Sequence, residues 1–304
     1  MQLGVLIGDF MKKRSLESSV KLAKEIGYSC VEIPAYDIER RGKQYDKKQA
    51  KEVVDWAKDF GVEVTAFMCH VGFTGKNWQK CVEHTKWMID IAQFVGIKIV
   101  HTVSGILPKV ASVQYSLGSK EVESIDMSNT TEWGWMLQAY NEVLNYASGS
   151  EVKIAIEPVF VYAVCNYNTL SRLFKDLKRE DLYINFDPSH FPYHRESPIP
   201  IIKEFGQRII HTHVKDAKVS KHVPQDIENK EAWNMGNDEE FKFAPSGKGV
   251  LNWPEILSVL KETGYDYVLS LEMGHNYGEE PEITAKENIV FFQKLLKKLK
   301  IDLR

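Results

Sequence analysis

Cysteine is scarce and never closely paired. The 304 residues contain only Cys30, Cys69, Cys81 and Cys165, with no C-x-x-C run. This spacing excludes a zinc ribbon and a disulfide framework. Reduced core thiols in a cytoplasmic protein are the expectation. Long apolar runs are also missing. No stretch approaches the roughly 18 residues of a membrane span. The opening MQLGVLIGDFMKKR has its apolar run broken by Asp9 and its charges on the wrong side for a signal peptide. No membrane partner is therefore expected. Positive charge is not in excess, because 39 Lys and Arg stand against 42 Asp and Glu, a net charge of −3. Nucleic-acid binding would ask for a basic stripe. The mixed basic tail Lys294–Lys300 fits a solvated helix face instead, so no nucleic-acid partner is expected. Finally, no G-x-G-x-x-G turn follows the first apolar run. Gly8-Asp9-Phe10 stands there, against an open dinucleotide-binding sheet.

What is present is a regular alternation. Short β-branched runs at Val5–Phe10, Cys30–Ala35, Val62–His70, Ile97–Ser104, Val152–Pro158, Leu182–Asp187, Ile209–Lys215 and Tyr267–Met273 read as strands. Between and after them, helical patterns fall at Ser15–Glu25, Asp46–Phe60, Asn77–Val95, Thr130–Ala147, Thr169–Leu177, Ile199–Phe205, Trp253–Thr263 and Ile283–Lys298. Gly27, Gly61 and Gly96 stop the first three helices. Strands alternating with helices imply parallel βαβ units. Eight units in order predict a single-domain (β/α)8 TIM barrel spanning residues 1–304, somewhat longer than the roughly 250 residues typical of that fold. Two connections are long, 105–129 and 217–251, and both follow strand C-terminal ends, where barrel active sites are built. Trp233, Phe241 and Phe243 in the second either cap a pocket or hold the loop down by local packing.

Side-chain parity then selects the residues that face the barrel axis. Ile154 and Ile156 belong to the helix-facing set, so Ala155 and Glu157 point inward. The same reasoning turns Asn185 and Asp187 inward, then His211, His213 and Lys215, then Ser270 and Glu272. Three carboxylates converging without a counter-charge would repel and lose solvation. A divalent cation resolves the conflict. Two glutamates, an aspartate and an imidazole form an O/N donor set suited to one ion. Mn2+ is expected, with Mg2+, Co2+ and Zn2+ as alternatives, and the lack of thiolate donors argues against a structural zinc site. Taken singly, each residue has a plainer role: a paired inward carboxylate, or a hydrogen-bonded histidine. Four at equivalent heights on four strands point to a metal site of Glu157, Asp187, His213 and Glu272.

Several runs carry a family resemblance: Ile154-Ala155-Ile156-Glu157-Pro158, Asn185-Phe186-Asp187-Pro188-Ser189-His190, His211-Thr212-His213-Val214-Lys215-Asp216, Gly247-Lys248-Gly249-Val250-Leu251-Asn252-Trp253 and Leu269-Ser270-Leu271-Glu272. Together they resemble the xylose isomerase-like TIM barrel superfamily, and within it the sugar phosphate isomerase/epimerase group with its ketose 3-epimerases and inosose dehydratases. The likeness covers most of the chain and is strongest from residue 152 onward. It implies that Glu157, Asp187, His213 and Glu272 match the metal ligands of the epimerase branch. It also implies that His190 matches a substrate-contacting histidine and Lys215 a lysine of the dehydratase-like branch. The epimerases usually carry an arginine a few residues past the ligand histidine. Lys218–Lys221 has none, which sets this chain apart from a plain ketose epimerase. A homo-oligomer is an option that the resemblance raises.

The activity this implies is a metal-dependent isomerase or epimerase acting on a small sugar, keto-sugar or polyol. Glu157 abstracts a proton beside a carbonyl, a metal-stabilised enediolate forms, and Glu272 returns a proton to the other face. His190 orients the substrate oxygens. If Lys215 instead protonates a leaving hydroxyl, the enzyme is a dehydratase or lyase. His70 and His101 are candidate substrate contacts or ordinary core polar residues. Glu32 is placed to reach the cavity floor. Lys248 suits a phosphate contact or a simple helix lead-in, and Trp78 and Trp133 suit packing. A DNA-repair endonuclease of the AP-endonuclease-like kind would need a further D-x-H run, which Ala217–Val223 lacks, and a basic surface. A binding protein without catalysis would have little use for two glutamates flanking a metal.

Overall fold

The computed structural model describes residues 1–35, 46–105, 130–160, 162–219, 241–273 and 280–304. Eight parallel strands close into a barrel. They are β1 (Gln2–Leu6), β2 (Cys30–Pro34), β3 (Glu63–Met68), β4 (Ile99–Val103), β5 (Lys153–Glu157), β6 (Leu182–Phe186), β7 (Ile209–Val214) and β10 (Val268–Leu271). Around the closed sheet they run β1-β10-β7-β6-β5-β4-β3-β2. Neighbours in sequence are neighbours in space, as right-handed βαβ connections dictate. The expected single-domain TIM barrel is the fold.

The helices form the outer ring, and their ends follow local chemistry. α2 (Leu16–Ile26) starts where the Ser15 side chain accepts from the Ser18 amide, and it ends at Gly27, whose φ of 114° is costly for other residues. α3 (Lys47–Asp59) is capped by Asp46. α4 (Trp78–Val95) stops at Gly96, and α5 (Thr131–Ala147) begins at a Thr130 cap. α6 (Tyr167–Leu177) opens with a reciprocal capping box between Asn166 and Thr169. A 3-10 segment, Pro188–His194, precedes α7 (Ile199–Phe205). α8 (Trp253–Glu262) and α9 (Pro281–Leu299) complete the ring. Trp78 and Trp133 are buried packing residues, and the Trp133 indole donates to Asp176 at 3.0 Å.

The structure corrects the sequence in two places. The first strand is not Val5–Phe10. It pairs Gln2 with Val268 through Val5 with Leu271 and leaves the sheet after Leu6. Gly8–Met11 then forms a one-turn helix, α1, with Phe10 and Met11 buried. A short, mostly apolar run carries no periodicity that separates the two conformations, so tertiary pairing sets the boundary. The second long connection is also more than loop. β8 (Asp216–Val219) and β9 (Phe241–Ala244) pair antiparallel across its base. Trp233 and most of 105–129 lie outside the described residues.

One close approach fixes the mouth of the barrel. A Cβ on Gly72 would sit 2.4 Å from Gly105 Cα, and Gly105 itself has φ 103°. Only glycine lets these two backbones meet at the ends of β3 and β4.

Candidate functional site

Parity delivers the inward residues as the sequence suggested. Ligand atoms of Glu157, Asp187, His190 and Glu272 all lie within 4.8 Å of one another. His213 completes the group from beneath: its Nδ1 is 3.2 Å from Glu157 Oε1 and 3.2 Å from Glu272 Oε2. The four expected ligands are therefore gathered, and His190 stands among them rather than beside them. Its Nε2 is 3.4 Å from both Glu157 Oε1 and Asp187 Oδ2. Asp187 divides its work. Oδ1 accepts from the Ser189 amide at 2.8 Å, which leaves Oδ2 for the centre. All of these groups are buried except Glu272, whose side chain is 19% exposed and marks the open side.

Lys215 enters the same centre. Its ammonium pairs with Asp187 Oδ2 and Glu272 Oε2. Burial opposes that charge, but Asp187, Glu272 and Glu157 outweigh it and raise the lysine well above its usual range. Burial likewise pushes Glu157 up, yet His213, His190 and Lys215 hold it well below the usual carboxylate range. Glu272 is lowered against its own burial, chiefly by Lys215 and His213. At neutral pH the centre thus holds ionised carboxylates and a permanent ammonium.

Does the set fit a divalent ion? Donors on one ion with bonds near 2 Å stand up to about 4 Å apart; the ligand atoms here lie within 4.8 Å of one another, so a bound ion would draw the outermost donors together slightly. Both ring nitrogens of His190 are buried without a hydrogen bond, although such groups are normally satisfied. Carboxylate and imidazole donors with no thiolate suit a catalytic rather than structural ion. The residues fit.

Aromatic rings wall the centre. Phe160 stacks on His190 at 5.5 Å between centroids, and Phe243 meets His190 edge-on at 5.4 Å. Lys215 Nζ lies 4.8 Å from the Phe243 ring centroid. Phe241 is buried with Phe160 and Tyr193, so Phe241 packs locally while Phe243 borders the centre. The base of this hairpin is fixed by Asp216, which faces away from the site. Its Oδ1 accepts from the Ala217 and Leu251 amides at 2.8 and 3.1 Å. Its Oδ2 accepts from the Gly247 amide and the Trp253 indole, both at 3.0 Å.

Below the centre lies a second, fully buried polar layer. Glu32 Oε2 accepts from His213 Nε2 at 2.9 Å and from Ser270 Oγ at 3.2 Å, while Glu32 Oε1 contacts His101 Nε2. His211 Nδ1 is 2.9 Å from Asn185 Oδ1. His101, considered as a sugar contact, therefore turns its Nε2 to Glu32, and its Nδ1 is 3.5 Å from Asn185 Nδ2. His70 stands higher, 6.0 Å from the Tyr162 ring between centroids, and burial pushes it down to about 4. Lys248 pairs with Glu287 at 2.5 Å on the surface, in keeping with the helix lead-in. Inward parity had pointed to His211 and Asn185, but nothing in the sequence disclosed that they interlock with Glu32.

Residues 20–295 match the xylose isomerase-like TIM barrel family. The chain belongs to that family. Among curated proteins, this xylose isomerase-like barrel is 24% identical to an inosose dehydratase of Clostridium botulinum over 144 residues, 47% of this chain and 48% of that protein. The chain thus spans about half the length of that relative. Among solved structures, the IOLI protein with a binding zinc atom superposes with a TM-score of 0.72 at 18% identity, covering 98% of this chain and 99% of that one. The 3-keto-D-glucoside 4-epimerase YcjR from E. coli gives a TM-score of 0.69 at 13% identity, covering 97% and 99%. At such identities the structural likeness speaks to fold. No helix among the described residues is long and apolar enough to cross a membrane.

Proposed function

We propose that this protein is a divalent-metal-dependent isomerase or epimerase of a small sugar, keto-sugar or polyol, working by proton transfer at the carbon beside a carbonyl. The observation that carries the reading is the meeting of Glu157 and Glu272 on His213 Nδ1, 3.2 Å from each. They come from β5 and β10, which are separated by β6 and β7 around the barrel. Two carboxylates reaching one point from different sides are what removal and return of a proton on opposite faces requires.

Glu157, Asp187, His213 and Glu272 would hold the ion, with His190 in reach as a further donor or a substrate contact. A bound divalent ion would supply Lewis-acid polarisation of the carbonyl and the adjacent hydroxyl. The remaining work falls to the chain. Glu157, ionised at neutral pH, takes the proton. Glu272 is ionised too, so on the exposed side it first takes a proton from solvent and then delivers it to the other face, while Glu157 later releases its own to solvent. Lys215 offers a fixed positive charge to the oxygen on which negative charge develops. Phe160 and Phe243 keep water from that side and offer an apolar surface to the sugar's C–H face. His70 stays neutral above about pH 4 and can hydrogen-bond a hydroxyl.

Lys215 also favours a second reading, a dehydratase or lyase. Its ammonium is in direct contact with Glu272 and Asp187, and no arginine occurs in Lys218–Lys221. The inosose dehydratase relatives point the same way. Incubation with Mn2+ and a panel of ketoses and keto-inositols in D2O tests both readings. Deuterium entering beside the carbonyl with skeleton retained supports the isomerase, and loss of water supports the dehydratase. Neither outcome on any polyhydroxy carbonyl compound would sink the proposal.

A further inference from the structure

Apart from His213, the layer beneath the carboxylate centre has no role in the chemistry just described. Glu32, His101, Asn185, His211, His213 and Ser270 are each at most 1% exposed. They come from β2, β4, β6, β7 and β10, so the layer spans the barrel interior. A charged, hydrogen-bonded layer in place of apolar side chains is an expensive choice for a barrel core, and its geometry has a direction. A carboxylate only accepts. The 2.9 Å contact from His213 Nε2 to Glu32 Oε2 therefore puts a proton on Nε2. Nδ1 is the nitrogen that faces the centre, 3.2 Å from both Glu157 and Glu272; those carboxylates also only accept, so a metal ion bound there would take the place of a proton on Nδ1 while Glu32 keeps the one on Nε2. Ser270 Oγ holds the same Glu32 oxygen at 3.2 Å, and His101 holds the other. Glu32 is thus clamped on both oxygens and cannot swing away from His213.

We propose that Glu32 is a positioning residue of the metal centre: across the barrel it fixes His213 as the Nε2–H tautomer, so that Nδ1 is presented as the metal donor. The inference rests on the metal-dependent reading above and goes deeper into the same site. Outer partners of this kind orient the ligating imidazole and raise its basicity, and losing them typically costs about 10–100-fold in metal affinity. A competing arrangement uses the same atoms. Glu32, His211 and His213 have ligand atoms within 4.8 Å of one another and could themselves hold a cation. The contacts speak against it, since both Glu32 oxygens are already taken, Oε2 by His213 and Ser270 and Oε1 by His101, and His211 Nε2 is 4.0 Å from Glu32 Oε2.

The test is divalent-ion binding, read by chelator competition with Mn2+ on folded protein, in the wild type, Glu32→Gln, Glu32→Ala and Ser270→Ala. The wild type is expected to take one ion. Glu32→Gln, which keeps an acceptor but loses the charge, should bind about tenfold more weakly. Glu32→Ala should bind up to about 100-fold more weakly, and Ser270→Ala a few-fold. Unchanged affinity in folded Glu32 variants, whatever their melting temperature, overturns the inference and leaves the metal reading standing. Two ions per wild-type chain, one lost with Glu32, overturns it in favour of the second cation site. No ion bound to the wild type removes the metal reading itself. Should the Glu32 variants not fold, 15N-histidine NMR of the Zn2+-loaded wild type decides: a proton on His213 Nε2 supports the assignment, and a proton on Nδ1 refutes it.

Discussion

The Trp253 indole donates to Asp216 Oδ2 at 3.0 Å, joining the first residue of α8 to the first residue of β8 across the whole 217–251 excursion. With the Gly247 and Leu251 amides on the same carboxylate, both ends of the excursion are secured at one buried group. Lys215, the preceding residue, points the opposite way into the centre. Alternation at two adjacent positions gives one residue to chemistry and the next to the segment beside it.

Asp216→Ala should therefore destabilise strongly. It strands the buried Ala217 amide and Trp253 indole N–H together with the part-buried Gly247 and Leu251 amides, and each unmet buried donor costs about 1–3 kcal/mol. A loss of at least roughly 3 kcal/mol is expected, read as a lower urea midpoint. Trp253→Phe removes one of the donors and should cost nearer 1 kcal/mol by the same reasoning. Equal effects from the two would contradict the shared-acceptor account.

Glu157→Gln should keep the fold and lower kcat by about 10²–10⁴-fold, the range of a positioned general base. EDTA should abolish turnover of the wild type, and Mn2+ should restore it. Near-normal turnover of Glu157→Gln on the true substrate would remove the base role.

Lys215→Met separates charge compensation from catalysis. Without its ammonium, Asp187 and Glu272 lose their buried partner, so the metal-free protein should lose about 3–5 kcal/mol. The same carboxylates should then bind a divalent ion roughly tenfold more tightly, because a competing positive charge is gone. Turnover should nevertheless fall. Calorimetry with and without Mn2+ checks the first two effects, and weaker ion binding would count against the present picture of the centre.

The metal-free protein should also lose stability on mild acidification. Burial pushes His211 down to about 3 and the partly exposed His70 to about 4, whereas unfolded histidines titrate near 6.5. Below pH 6.5 the unfolded chain binds protons that the fold refuses, so stability falls as pH falls. His211 alone contributes about 2 kcal/mol between pH 6.5 and 4.5, at some 1.4 kcal/mol per pH unit. His213 does not offset this. Burial lowers it, but Glu32, Glu157 and Glu272 raise it well above its usual value, so its contribution is complete below pH 6.5 and is lost only as pH rises through its folded value. The lowered carboxylates Glu32 and Glu157 add stability above about pH 4.5 and lose it further down. A melting temperature that is flat or rising from pH 6.5 to 4.5 would contradict these assignments.

How far the sequence disclosed all this depends on which physical signal each part leaves. Long helices with caps such as Ser15 and Asp46 announce themselves, and so does the alternation that implies a barrel. The inward set Glu157, Asp187, His213 and Glu272 follows from strict parity beside β-branched neighbours. Parity fails in β2, where Cys30–Pro34 is buried at every position and the pairing with β3 shifts register between Val31 and Glu32. Glu32 was therefore readable as near the cavity floor, but not as the partner of His213 on the far wall. The β8–β9 pair was hidden because its strands are four residues each and widely separated in sequence. His190 lies on a 3-10 turn three residues after Asp187. The spacing suggests proximity but not entry into the donor cluster.

The backbone contact between Gly72 and Gly105 has an evolutionary corollary. Where two chains touch without side chains, the rim after β3 and β4 admits no substitution larger than hydrogen without displacement. A larger residue at either position would have to push one of the two chain segments away and so move the rim above the buried carboxylate centre. Relatives that share this rim should thus keep the glycine pair itself.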